Sequence, residues 1–164
     1  MSVPSEPRCP PPTPGSSPLA DAAQATALLL AHTPAIPAWV QLPRRAFHEN
    51  MLVQYLEGLP ALVEENERVY FDTSRPDYDH ALTDFFARFL AVESGDADAL
   101  ETFAITSKCS LGLPALLAAL PQLPQPPVMV KGQVTGPFTW GVNLTDQNRR
   151  CAYYDDQLHE VIVK

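Results

Sequence analysis

The chain has 164 residues, 46% of them apolar, enough for one domain with a buried core. A net charge of −8 and a pI of about 4.8 argue against nucleic acid as the main partner, because neutralising phosphates requires a basic face. No run approaches the roughly 18 apolar residues of a membrane span. The N-terminus lacks a basic region followed by an apolar run, and Cys9, Cys109 and Cys151 give neither a disulfide framework nor a zinc pattern, so a reducing, cytoplasmic setting is expected.

Residues 1–15 hold six prolines and almost no large apolar side chain, the composition of a disordered or extended lead-in. Ser17-Pro18 reads as a helix start, with Ser17 as N-cap, and the Ala- and Leu-rich run to His32 is helical by propensity until Pro34. Ala38 to Leu42, between Pro37 and Pro43, reads as a short strand with Val40 and Leu42 on one face and Trp39 and Gln41 on the other. Arg44 and Arg45 follow at its carboxyl end. They can hold a carboxylate or phosphate by bidentate bonds, or pair with surface acids. Phe47 to Glu57 has a helical stripe of Met51, Leu52, Tyr55 and Leu56, stopped by Gly58. His48 and Glu49 are adjacent, so on a helix they diverge and do not form a catalytic pair.

Leu62-Val63 and Arg68 to Phe71 flank Glu64-Glu65-Asn66-Glu67, the pattern of a β-hairpin turning near Asn66 with acids at its tip. Tyr78 to Val92 is the clearest helix, with Leu82, Phe85, Phe86, Phe89 and Leu90 recurring at three and four as core. Gly95 to Ala99 reads as a polar break, Thr102 to Thr106 as a strand, and Leu111 to Leu120 as a helix. Cys109 lies beside Lys108 near that helix start, a setting that lowers a thiol pKa, but no histidine presents itself as its base. Residues 143–151 read as an exposed loop, and Asp155 caps a last helix with Leu158, Val161 and Ile162 on its apolar stripe.

The segment from Val128 to Thr135 carries the most information. Pro126 and Pro127 mark where the strand begins, and Gly136-Pro137 stops it. Val128, Val130 and Val134 share one face at period two, and Lys131, Gln133 and Thr135 share the other. That polar face either meets water or forms a site. Strands alternating with helices predict βα units and a parallel sheet, with every strand's carboxyl end on one side. On that side lie Arg44, Arg45, Ser107, Lys108, Thr135 and Gly136, and a ligand site belongs there.

Several phrases, in order, resemble the cobalamin-independent methionine synthase and uroporphyrinogen decarboxylase superfamily, nearest its bacterial methionine-synthase-like branch. They are Trp39 to Arg45; Glu49-Asn50-Met51 with Gln54-Tyr55 and Glu57 to Pro60; Phe103-Ala104-Ile105; Lys131 to Thr139; and Asp146-Gln147 followed by Tyr154-Asp155. Together they cover about residues 36 to 164. The resemblance implies a TIM barrel with its site at the carboxyl ends of the strands. In the synthase branch it also implies zinc-assisted methyl transfer from a folate-type donor to a thiol such as homocysteine. The decarboxylase branch instead holds porphyrinogen propionates with arginines. Leu19 stands where the family's first-strand phrase carries a histidine.

A (β/α)₈ barrel needs about 250 residues, so this chain is expected to hold three or four βα units with a hairpin insertion, the N-terminal half of a barrel spanning residues 16–164. The zinc ligands of the complete family belong to the later half, and no cofactor is expected in this chain. The expected substrate-binding residues are Gln41, Arg44, Arg45, Lys131, Gln133, Thr135 and Gly136. Catalytic residues are not assigned. Three functions compete: part of a methyltransferase, part of a decarboxylase-like enzyme, and a non-catalytic half-barrel that self-associates through exposed surface.

Overall fold

A computed structural model describes residues 15–164, so Cys9 and all of the expected lead-in except Gly15 lie outside the described residues. The chain mixes helix with strand. Among the described residues there are, in chain order, six α-helices and one antiparallel hairpin: α1 (Ala22–His32), β1 (Leu62–Glu65), β2 (Arg68–Phe71), α2 (Tyr78–Glu93), α3 (Ala97–Glu101), α4 (Gly112–Ala119), α5 (Pro137–Asn143) and α6 (Asp156–Val163). Two compact units are interleaved in sequence: residues up to Arg45 with Leu111–Gln133, and Ala46–Ser110 with Val134–Lys164.

The first unit is built on short parallel pairings rather than on full ladders. Ser16 bridges Gln41, and Ala38 bridges Lys131, both in parallel. The Gln41 amide donates to the Gly15 carbonyl (2.7 Å) and the Ser17 amide donates to the Gln41 carbonyl (2.8 Å). The Lys131 amide donates to the Pro37 carbonyl (2.9 Å). Ala38, Val40 and Leu42, alternating as the sequence requires, pack with Ala25 and Leu29 of α1. The expected strands at 38–42 and 128–135 are therefore extended segments joined at single bridges. Prolines cannot donate to a ladder, and Pro37, Pro43, Pro126 and Pro127 bound both segments. Ser17 does not cap α1. Asp21 does, its carboxylate accepting from the Gln24 amide (2.7 Å), while Ser17 Oγ accepts from the Leu19 amide in a local turn.

In the second unit the hairpin forms in the expected register, Glu65 opposite Arg68, with Asn66 and Glu67 at positive φ in the turn. Its core joins Phe71, Leu82, Phe85, Leu158, Val161 and Ile162. Phe85 meets Phe86 and Phe103 edge-on, at centroid distances of 5.2 and 5.9 Å. Leu90 was expected in that buried stripe but is 58% exposed, because at 100° per residue it drifts to the margin of the face set by Leu82 and Phe85. Asp155 caps α6 as expected, accepting from the Gln157 and Leu158 amides.

Four further expectations fail in this unit. Phe47 to Glu57 is not an α-helix; only Phe47–Glu49 forms a 3₁₀ turn, and Asn50 (φ −66°, ψ 140°) breaks it. The Asn50 carboxamide accepts from the Leu52 amide, a local bond that competes with the helical one. Residues 95–99 are not a plain break and 102–106 is not a strand, because Asp96 caps α3 and Thr102 ends it. Segment 143–151 is not simply exposed: Leu144 is buried, and the Thr145 carbonyl accepts from the Phe71 amide at 2.9 Å. Gly136-Pro137 does end the extended segment, but Pro137 also opens α5, its fixed φ suiting the first helical position.

Gly58, expected as a stop signal, sits at φ +88°, and a methyl group there would come within 2.7 Å of the Thr102 carbonyl oxygen. Gly58→Ala should therefore destabilise the protein by about 1–3 kcal/mol, from backbone strain together with overlap. Urea denaturation followed by circular dichroism measures this, and an unchanged midpoint would contradict the described turn.

Candidate functional site

Five of the seven expected binding residues fall in the first unit. Gln41 is buried at the centre of the parallel pairings. The Gln133 carboxamide donates to the Trp39 carbonyl (3.3 Å) and lies directly on Gly15, where any side chain would collide with it. Lys131 is half-buried on the neighbouring segment, while Val128 (83%) and Val130 (45%) turn outward. The polar face is thus the inner one here and the valine face the outer one, opposite to the bland alternative of a polar face meeting water. Arg44 is exposed and Arg45 half-buried, just beyond a turn in which the Arg45 amide donates to the Leu42 carbonyl.

Thr135 and Gly136 belong to the second unit. Thr135 Oγ1 donates to the Met51 carbonyl (2.6 Å), and Gly136 is the N-cap of α5. Thr135 therefore anchors a loop, and Gly136 starts a helix.

Zinc does not fit the described residues. No three His, Cys, Asp or Glu side chains among them converge to hold a metal ion. Cys151 Sγ donates to the Val142 carbonyl (3.4 Å), and Cys109 is 2% exposed.

A second cluster of polar groups lies in the second unit, around a cleft of about 200 Å³. His48 Nε2 is 2.8 Å from Glu64 Oε2, and Lys108 Nζ is 3.5 Å from the same oxygen. The hydrogen bond from His48 is the main reason that the Glu64 carboxyl is held below its ordinary range. Burial opposes the shift, and the charges of His48 and Lys108 add to it. At Glu57 burial pushes upward, but the Thr106 amide and hydroxyl (2.8 Å each), the Cys109 thiol and Lys108 together bring the carboxyl below its ordinary range. Sequence reasoning placed Lys108 among the strand-end residues but missed its grouping with His48 and Glu64, because these stand far apart in the chain; the acids of the hairpin tip were the signal available. His48 pairs with Glu64 and not with its neighbour Glu49.

The lowered pKa expected for Cys109 is overturned. Burial, then the hydrogen bond and charge of Glu57, push its thiol up to about 12, and Lys108 does not compensate. Cys109 is a protonated structural thiol at neutral pH. Folding raises this pKa from an ordinary value near 9, so the thiol's contribution to stability is complete below about pH 9 and is lost as pH rises toward about 12. Tyr78, pushed up to about 12 by burial and then by Asp155 and Asp79, adds to the same alkaline loss. At pH 8 iodoacetamide should modify Cys151 while leaving Cys109 at least ~100-fold slower, as peptide mass mapping would resolve. Urea titrations from pH 8 to 11 should show stability falling, less steeply in Cys109→Ala. No protein-family model, curated protein or solved structure matches the chain.

Proposed function

We propose that the chain forms part of a (β/α)₈ barrel of the methionine-synthase-like kind and serves methyl transfer from a folate-type donor to a thiol. The observation that supports this reading is the parallel pairing of segments 15–17, 37–41 and 128–131, with Gln41 and Gln133 turned inward and Val128 and Val130 outward. In a barrel the strands run parallel and the outer apolar face is covered by helices. A complete barrel needs eight such segments, so under this reading others come from further polypeptide.

The roles then follow from chemistry. Arg44, exposed beyond the end of segment 38–42, attracts an anionic group such as a folate carboxylate. Lys131 adds a second positive charge on the polar face. Gln41 and Gln133 fix hydrogen-bond directions in a region where unpaired polar groups are costly. Any metal chemistry lies with residues other than those described.

Isothermal titration calorimetry of the chain with 5-methyltetrahydrofolate, homocysteine and uroporphyrin tests the reading. Saturable folate binding that weakens roughly 10-fold or more in Arg44→Ala and Lys131→Met is the expected result, the range for losing one charge-assisted hydrogen bond. Tighter binding of porphyrin would move the chain to the decarboxylase-like reading. Failure to bind any of the three, by a protein with native circular dichroism, would defeat both.

A non-catalytic assembly module is the second reading, favoured by the outward Val128, Met129 (61% exposed) and Val130 on one short stretch. Analytical ultracentrifugation at 10–100 μM (about the range in which weak contacts register) should then show concentration-dependent dimers that Met129→Lys abolishes. A monomer throughout would remove this reading.

A further inference from the structure

The cleft of the second unit has a property that the barrel reading does not use. Its rim brings together two nitrogen donors, His48 Nε2 and Lys108 Nζ, on a single carboxylate oxygen, Glu64 Oε2, at 2.8 and 3.5 Å. Its floor is apolar, made by Val53, Leu56 and Val69, and encloses about 200 Å³. That is on the order of six or seven water volumes. The geometry is that of a carboxylate site beside an apolar cavity, with the hairpin's own Glu64 seated on the donors.

We propose that this cleft binds a small branched or short-chain apolar carboxylate, whose carboxylate replaces Glu64 on His48 and Lys108 and whose hydrocarbon tail fills the cavity. Charge complementarity selects the acid. The Glu57 carboxylate lines the same cleft and accepts from the Thr106 amide and hydroxyl; ionised and acceptor-only, it repels a carboxylate placed away from the His48 and Lys108 end. This fixes the orientation: head toward Lys108 and His48, tail over Val53 and Val69. Glu64 is 42% exposed at the side chain and sits near the hairpin tip, so it can leave the donors without uncovering the core around Phe71. Glu64 acts as an internal competitor that sets how much free acid is needed.

The proposal is independent of the methyl-transfer reading. It is tested on the full chain with 4-methylpentanoate, its amide and the corresponding amine, followed by methyl NMR with intermolecular NOEs to Val53 and Val69. Glu64→Gln should bind the acid at least ~10-fold tighter than the unmodified chain, because the competing charge is gone. Adding Lys108→Met to that variant should remove the gain, and the amide should bind at least ~10-fold more weakly than the acid. Glu64→Ser serves as a second variant if Glu64→Gln does not fold. Equal binding of acid and amide would reduce the cleft to an apolar cavity and overturn the carboxylate assignment. Preference for the amine would reverse its sign. Absence of saturable shifts in a folded Glu64 variant would overturn the site altogether.

Discussion

The stretch between Pro37 and Pro43 ties together two other segments of the first unit, 15–17 and 128–131. One carbonyl, that of Gln41, receives the Ser17 amide, and another, that of Pro37, receives the Lys131 amide. Buried backbone groups must be paired, so each of these bonds removes a cost of roughly 1–3 kcal/mol that an orphaned group would carry. The alternating side chains then divide the space: Ala38, Val40 and Leu42 go to α1, and Trp39 and Gln41 go to the other side. Gly112, at the start of α4, lies so close that any side chain there would meet the Val40 carbonyl. The stretch is short, and its tolerance for change is correspondingly small.

Much of the regular structure was legible in the sequence where a strong period coincided with a terminator. The hairpin, α2 and α6 form within a residue or two of expectation, because their apolar spacing and their turn or cap residues agree. The period-two pattern also assigned the correct polar face to Lys131 and Gln133. Where local signals conflicted, reading failed. Asn50 competed with a helix that the spacing of Met51, Leu52, Tyr55 and Leu56 favours; in the folded chain Leu56 is buried as that stripe requires, but Met51 is exposed and Val53 and Gln54 are buried. The strand at 15–17 has no apolar alternation at all and exists only through its partner at Gln41. No local pattern can announce a pairing of that kind.

The candidate site was legible to the extent that it depends on a single strand's alternation. Gln41 and Gln133 both meet Gly15, one through its backbone amide and the other through its carboxamide, while Lys131 pairs with Ala38; Thr135, two residues beyond Gln133, serves instead to tie a loop to the Met51 carbonyl. The His48, Glu64 and Lys108 cluster depends on the return path of a hairpin and was hidden for that reason. Within its cleft two acids shift in opposite directions. Glu57 gains hydrogen bonds to its charged form and stays ionised, while the thiol beside it loses solvent and faces that same negative charge. Burial first, and then the hydrogen bond and charge of that carboxylate, keep the thiol protonated, and the opposing charge of adjacent Lys108 does not reverse the outcome.

The outward valines of segment 128–134 carry a consequence for how the protein survives at high concentration. Val128, Met129, Val130 and Val134 combine high β propensity with exposure, the composition of a stretch that templates amyloid-like stacking. Two features of the same sequence limit this. Pro126 and Pro127 lack amide hydrogens, so a foreign strand cannot extend its ladder past Val128, and Lys131 places a charge in the middle of every possible stack. The charge of Lys131 therefore opposes edge-to-edge stacking of this stretch.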